Sequence, residues 1–238
     1  MEKLLVPIFL ISTVATTVAI QPDTSITVDD LDMSNIIDVN DKKQRFFDFM
    51  RPIIIDENAR ILKLREKLLA AKENNNNKSF VAHIAKTYTV NWDDEKENWD
   101  KLLERVDTVA LELSLAQSAD ESAWGQSRFA RQGNNFFGQW CYTKGCGIVP
   151  SERNRGSTHE VAKFNSVNDS VRSYIKTINT GRVYALLRKI RRDNRAAGKQ
   201  PDANAQACGL IKYSQRREKY VKEIRAMIHV NKKLMLGK

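Results

Sequence analysis

Apolar residues recur at helical spacing along most of this chain, and one long interruption, Gly138 to Phe164, limits the folds open to it. From Lys42 onward, Phe46, Phe47, Phe49 and Met50 form an apolar cluster that Pro52 should stop, since proline lacks the amide hydrogen that a helix interior uses. Asp56 then caps a second helix carrying Ile61, Leu62, Leu64, Leu68 and Leu69. Four asparagines, Asn74 to Asn77, make a loop. Beyond it Phe80, Ile84 and Tyr88 mark a short helix, and Asp93 or Asp94 opens another with Trp99, Leu102, Leu103 and Val106. These stripes are assigned to packing. Downstream, Asn168 or Asp169 caps a helix over 170–179, and helices follow over 183–195 and 218–231. The interrupting segment, GQWCYTKGCGIVPSERNRGSTHEVAKF, is rich in glycine, aromatic and β-branched residues, which fits short strands or an irregular hairpin.

The helix that leads into this interruption carries the most informative carboxylate. Leu111, Leu115 and Ser118 fall at i, i+4 and i+7, and Leu113, Gln117, Glu121 and Trp124 make a neighbouring stripe. Asp107 or Thr108 can cap its start and Gly125 suits its end, so Glu121 stands in the last turn. There the negative end of the helix dipole disfavours ionisation, and an indole three residues on can exclude water from one side. A carboxyl so placed can give up a proton near neutral pH, as a general acid must. A surface glutamate near a helix end has the same spacing, so the pattern alone does not separate the two.

At 238 residues the chain can hold a single sizeable core, and nothing in it demands a second domain. Its formal net charge of +10 implies an anionic partner: nucleic acid, a membrane surface or an acidic wall polymer. The basic run of Arg188, Lys189, Arg191, Arg192 and Arg195 reads as a solvated helix face. Residues 1–20, with Lys3 followed by an apolar stretch and the small residues Thr17-Val18-Ala19, read as a secretory signal; an uncleaved anchor at the inner membrane is the alternative. Residues 21–41 read as a poorly ordered acidic tether, and 42–238 as one domain with a helical N-terminal extension. Export makes a local Cys141–Cys146 disulfide reasonable, with Cys208 left over. His83, His159 and His229 show no ligand spacing, so no metal or cofactor is expected, and Ser127 reads as a turn former rather than a nucleophile.

The ordered motifs LAQSADESAWGQSRFARQGNNFFGQW, GCGIVP, THEVAKF, SVRSYIKTIN and YVKEIRAMI resemble the bacterial glucosaminidase domain of glycoside hydrolase family 73, in its Bax-type branch. The resemblance spans roughly residues 42–236. It implies a mainly α, lysozyme-like fold with a small β lobe, and hydrolysis of the β-1,4 bond after N-acetylglucosamine in peptidoglycan glycan strands. By the same resemblance Glu121 is the general acid. Position before the AKF motif makes Glu152 the match to the second carboxylate; Glu160 is the other candidate, or instead holds its loop through hydrogen bonds, and the sugar's own acetamido group could replace either. Asn134, Asn135, Phe136 and Gly138 match the loop that shapes the cleft, and Tyr213 a cleft tyrosine; Gln117, Trp124, Phe137 and Trp140 complete the expected substrate-binding set. Asp120 departs from the pattern, standing where a small or amide residue is usual; one residue from Glu121 on a helix, it should face elsewhere. A wall-binding protein that kept this fold without turnover is the rival reading. A nucleic-acid module fits the charge alone, and the export signal argues against it.

Overall fold

The computed structural model describes residues 25–93, 97–151, 153, 156–200 and 202–238. At its centre lies α4 (Leu111–Glu121), in which every residue from Leu113 to Ala119 is buried. This helix is therefore not the amphipathic one its spacing suggests. Ser114, Ala116, Ser118 and Ala119 are small enough to let helices approach on several sides, and its serines turn inward at no cost in unpaired groups. Ser114 Oγ donates to the Ala110 carbonyl at 3.2 Å and Ser118 Oγ to that of Leu115 at 3.0 Å. The start is not capped by Asp107 or Thr108. Instead the Ala110 amide donates to Gln206 Oε1 at 3.1 Å.

Packed on α4 is α1 (Val39–Glu73), which begins at Asp38, whose carboxylate accepts the amides of Asn40 and Asp41. It runs unbroken through Pro52, where the sequence suggested two helices. Phe46, Phe47, Met50, Ile53 and Ile54 are all buried, on both sides of the proline. Their burial is worth about 1.5–3 kcal/mol each, which outweighs the ~3 kcal/mol that an internal proline costs. The far half of α1 joins α2 (Lys78–Thr87) and α3 (Trp99–Arg105) around a second, smaller core of Leu68, Ala71, Val81, Ala85, Leu102 and Val106. Trp92 and Trp99 meet edge to face in it, 5.0 Å apart.

The segment expected to be a tether is docked from Ser25 onward. Val28 and Leu31 are buried, the Ile26 carbonyl accepts the Val167 amide at 2.7 Å, and the Val28 amide donates to Asn134 Oδ1 at 2.8 Å. An acidic composition concealed three apolar anchors, Ile26, Val28 and Leu31. The signal read over residues 1–20 lies outside the described residues, and among those described no helix is long and apolar enough to cross a membrane.

After α5 (Arg128–Gly133) the predicted interruption forms a small antiparallel sheet of β1 (Trp140–Cys141), β2 (Gly147–Ile148) and β3 (Glu160–Ala162), in the order β1-β3-β2. Trp140 pairs with Val161, and Gly147 with Ala162. Gly147 is obligatory, because a Cβ there would lie 2.0 Å from the Val161 carbonyl oxygen. A Cys141–Cys146 disulfide closes the β1–β2 connection, and Cys208 is free and exposed. Then come α6 (Val167–Thr180), capped by Ser166 rather than Asn168 or Asp169, α7 (Ala185–Ala196), α8 (Ala203–Cys208) and α9 (Glu218–Leu236). The arrangement is the mainly helical, lysozyme-like one with a small β lobe and extra N-terminal helices.

The basic run on α7 is only in part a solvated face. Arg188 and Arg191 are 2% exposed. Arg188 donates to the carbonyls of Ile178 and Gly181; Arg191 donates to those of Glu104, Asp107 and Thr108 and to Asn179 Oδ1. Arg192 pairs with Glu104 and Arg195 with Asp107, both buried carboxylates, so the run ties α7 to α3 and to the start of α4. Lys189 and Arg192 keep part of the solvated reading: both are exposed and pair with Asp193, although Arg192 also reaches Glu104.

Candidate active site

A cleft of about 830 Å³ opens beside the C-terminal end of α4, walled by the β lobe on one side and by α6 and α9 on the other. The chain turns sharply here. Ala123, Trp124 and Gly125 follow one another at φ of 50°, 60° and 76°, left-handed backbone that costs a non-glycine residue about 1–2 kcal/mol. Ser122 secures the turn, its Oγ accepting the Gly125 amide at 2.8 Å and donating to the Ser118 carbonyl at 2.6 Å. Trp124 offsets the backbone cost by packing edge-on against Phe46 and Phe47, at 5.5 and 5.4 Å. Helix α4 therefore stops at Glu121, whose side chain enters the cleft, while the indole goes into the core.

Glu121 is held by tyrosines. Its Oε1 accepts the hydroxyls of Tyr213 at 3.0 Å and Tyr220 at 3.1 Å. Gln117 aligns the second donor: Tyr174 donates to Gln117 Oε1 at 2.7 Å, and Gln117 Nε2 donates to the Tyr220 oxygen at 3.1 Å. With its oxygen already accepting from Gln117 Nε2, Tyr220 points its proton at Glu121. The other carboxyl oxygen, Oε2, lies 3.4 Å from where a Cβ would stand at Gly138, whose φ is +61°. Burial pushes the Glu121 carboxyl above its ordinary value; the two tyrosine bonds work against this, and the charge of Asp120 works with it. Burial and then the Glu121 charge raise the hydroxyls of Tyr184, Tyr213 and Tyr220, so they remain donors at neutral pH.

Of the expected substrate-binding residues, Gln117, Phe137, Trp140 and Tyr213 line the cleft. Phe137 stacks on Tyr174 at 3.9 Å, and Trp140, 57% exposed, stacks on His159 at 4.0 Å. Four others are placed elsewhere. Trp124 is turned into the core as described, and Phe136 is fully buried against Phe46 and Phe49. Asn134 bridges the Val28 amide to the carbonyls of Phe164 and Asn165. Asn135 is buried, donating to the carbonyls of Gln139 and Ala162 and accepting the amides of Phe137 and Gln139. The two asparagines shape the loop from behind without facing the cleft.

Of the two candidates for a second carboxylate, Glu160 stands outside the cleft. Glu160 is absent from the cleft lining, and its two oxygens accept the amides of Gly145 at 3.0 Å and Gly147 at 2.8 Å. Those bonds hold its carboxyl below the usual range and pin the loop inside the disulfide. Glu152 lies outside the described residues. Among the described residues lining the cleft, the carboxylates are Glu121 and Asp120. Asp120 was expected to face elsewhere, but the helix ends one residue later and both neighbours reach the same cavity. Its carboxyl sits at the rim, pushed up by partial desolvation and held down by Arg216. The sulfurs of Cys141 and Cys146 also lie close to Glu160, but they are bonded to each other, so this trio offers no thiolate to a metal.

Sequence reasoning missed Tyr174, Tyr184, Tyr220 and Arg216. A signal existed: five of the chain's six tyrosines line this cleft, and all five fall in its C-terminal half, too scattered for periodicity to join them.

Residues 96–233, more than half of the chain, match the glucosaminidase family described as mannosyl-glycoprotein endo-beta-N-acetylglucosaminidase. The chain is also 32% identical over 200 residues to "Protein bax" of Escherichia coli (strain K12), a match that covers 82% of this chain and 71% of that protein. No solved structure matches it significantly.

Proposed function

Because this chain belongs to the glucosaminidase family, in its Bax-type branch, we propose that it is a peptidoglycan hydrolase, an endo-β-N-acetylglucosaminidase that cleaves the β-1,4 bond between N-acetylglucosamine and N-acetylmuramic acid. One observation carries the reading: Glu121 is desolvated, its pKa is raised, and one of its two oxygens is occupied by a pair of tyrosine hydroxyls. In this reading the acidic proton rests on Oε2, beside Gly138, because Oε1 already accepts two bonds. The proton passes to the glycosidic oxygen as the bond from that oxygen to C1 of N-acetylglucosamine breaks. Glu121 becomes a carboxylate at that moment, and Tyr213 and Tyr220, already aimed at it, stabilise the new charge without rearranging.

The other half of the reaction, supporting C1 or activating water, goes to Glu152, with the sugar's own acetamido group as the alternative. Glu160 serves as a brace for the β lobe. Trp140 and Tyr142, both exposed, offer rings to a sugar along the β-lobe side. A wall substrate puts the enzyme outside the cytoplasm, in the periplasm or secreted, with residues 1–20 as the export signal or inner-membrane anchor.

Release of reducing ends from purified peptidoglycan tests this. Glu121→Gln should lower the rate by about 10²–10⁴-fold, the usual contribution of a general acid, with an unchanged circular dichroism spectrum. Retained turnover in that variant overturns the assignment. Glu152→Gln separates the two versions of the second step: a comparable loss assigns it to Glu152, and an unaffected rate assigns it to the acetamido group. Cosedimentation of the wild type with peptidoglycan and no new reducing ends at any pH would make the protein a wall-binding one.

A further inference from the structure

The two sides of the cleft differ in kind. Towards the β lobe the lining is Phe137, Trp140, Tyr142 and Phe164, surfaces suited to the uncharged faces of N-acetyl sugars. Towards α9 it carries opposite charges: Asp120, at the end of α4, and Arg216, the one cation among the described lining residues. Arg216 is oriented. Its Nη1 bonds Glu223 Oε2 at 2.5 Å and its guanidinium lies over the Tyr220 ring at 5.6 Å, yet half of the side chain remains open to solvent. Tyr220 is also the ring that donates to Glu121, so the guanidinium is fixed relative to the acid.

N-acetylglucosamine carries no charge, and in wall glycan the lactyl carboxyl of N-acetylmuramic acid is tied up in its amide bond to the peptide, so the sugars themselves have no charge to match such a rim. The peptide that wall glycan carries on its lactyl ether has free carboxylates and an amine. Resting on the peptidoglycan reading of this cleft, we propose that Arg216 and Asp120 form a subsite for that peptide, the guanidinium taking a carboxylate and Asp120 an ammonium group. The fixed fork of Arg216 suits a carboxylate, and the net charge of +10 draws acidic wall material towards the protein. The subsite makes the enzyme prefer peptide-bearing glycan over bare chitin-like chains.

Binding in a Glu121→Gln background tests the subsite apart from turnover. The two probes are a peptidoglycan tetrasaccharide with its peptides and the same tetrasaccharide after amidase has removed them and the exposed lactyl carboxylates have been capped as methyl amides, compared by calorimetry. The peptide-bearing probe should bind about two- to five-fold tighter, the range of an exposed ion pair, and less so as salt rises. Adding Arg216→Gln should bring the ratio to about one, and Arg216→Lys should restore part of it. In an Asp120→Asn version, N-acetylation of the peptide amine should no longer weaken binding. Equal affinity for both probes in the Glu121→Gln protein, or a preference that survives Arg216→Gln, overturns the proposal. If the wild type releases no reducing ends while the ratio behaves as stated, the hydrolase reading fails and the subsite stands; normal turnover with equal affinities does the reverse.

Discussion

As the proposed general acid, Glu121 would have to both keep a proton and lose it, and separate neighbours serve each need. The walls of the cleft and Asp120 favour the protonated form, while Tyr213 and Tyr220 favour the anion. A general acid works only while protonated, so kcat/KM falls as pH rises through its pKa in the free enzyme. Asp120→Asn removes a charge that raises Glu121 and should move that alkaline limb to lower pH. Tyr213→Phe removes a bond that lowers it and should move the limb to higher pH, with a lower maximum. A pH–rate profile of each variant reads both signs. The raised pKa also affects stability. An ionised Glu121 costs the folded state free energy at pH above its folded pKa, and the cost vanishes below the unfolded value near 4.3. At neutral pH Glu121→Gln should therefore melt no lower than the wild type, and about 2–4 °C higher per kcal/mol relieved. Glu121 was legible in the sequence because its helix, its position in the last turn and the motif around it are all local. Its partners were not, since Tyr213 and Tyr220 reach it from 92 and 99 residues away.

Among the elements, α4 and the turn after it decide where the carboxyl points. Gly125 closes that turn at φ +76°, and a Cβ there would come within 2.5 Å of Leu31 Cδ2. Gly125→Ala should thus cost about 1–3 kcal/mol in urea unfolding, from the backbone conformation and the overlap together. Leu31→Ala in the same chain should not simply add to that loss, because it relieves the overlap. The same contact explains why residues 25–41 were misread: acidic composition suggested a tether, but Leu31 fills the space that Gly125 leaves. Pro52 and the small residues of α4 misled in a similar way. Local rules price a proline or a serine against water, and here the neighbours are packed helices. The β lobe was legible as an interruption rich in glycine and aromatic residues, though not the pairing that puts Glu160 onto Gly145 and Gly147.

At the scale of the whole molecule, the main core holds the cleft and the smaller core formed by α1, α2 and α3 is fastened to it by charge. Arg191 is fully buried and pushed down to about 10 by that burial, with Asp107 opposing. Arg191→Ala would leave Asp107 short of a cation and four acceptors without their donor. A loss of about 3–5 kcal/mol is expected, measured by denaturant unfolding, with the pH–rate limb of Glu121 unmoved. Five basic residues in eight positions look like a solvated face because arginine is rarely buried. The carbonyls that receive Arg188 and Arg191 leave no mark in a sequence. The fold, the network and the tyrosines all converge on one carboxyl group, so the most direct measurement is mass spectrometry of purified peptidoglycan after digestion. Wild-type protein should release fragments ending in reducing N-acetylglucosamine, and Glu121→Gln should release about 10²–10⁴-fold fewer. Fragments ending in N-acetylmuramic acid, or equal release by the variant, would contradict the assignment.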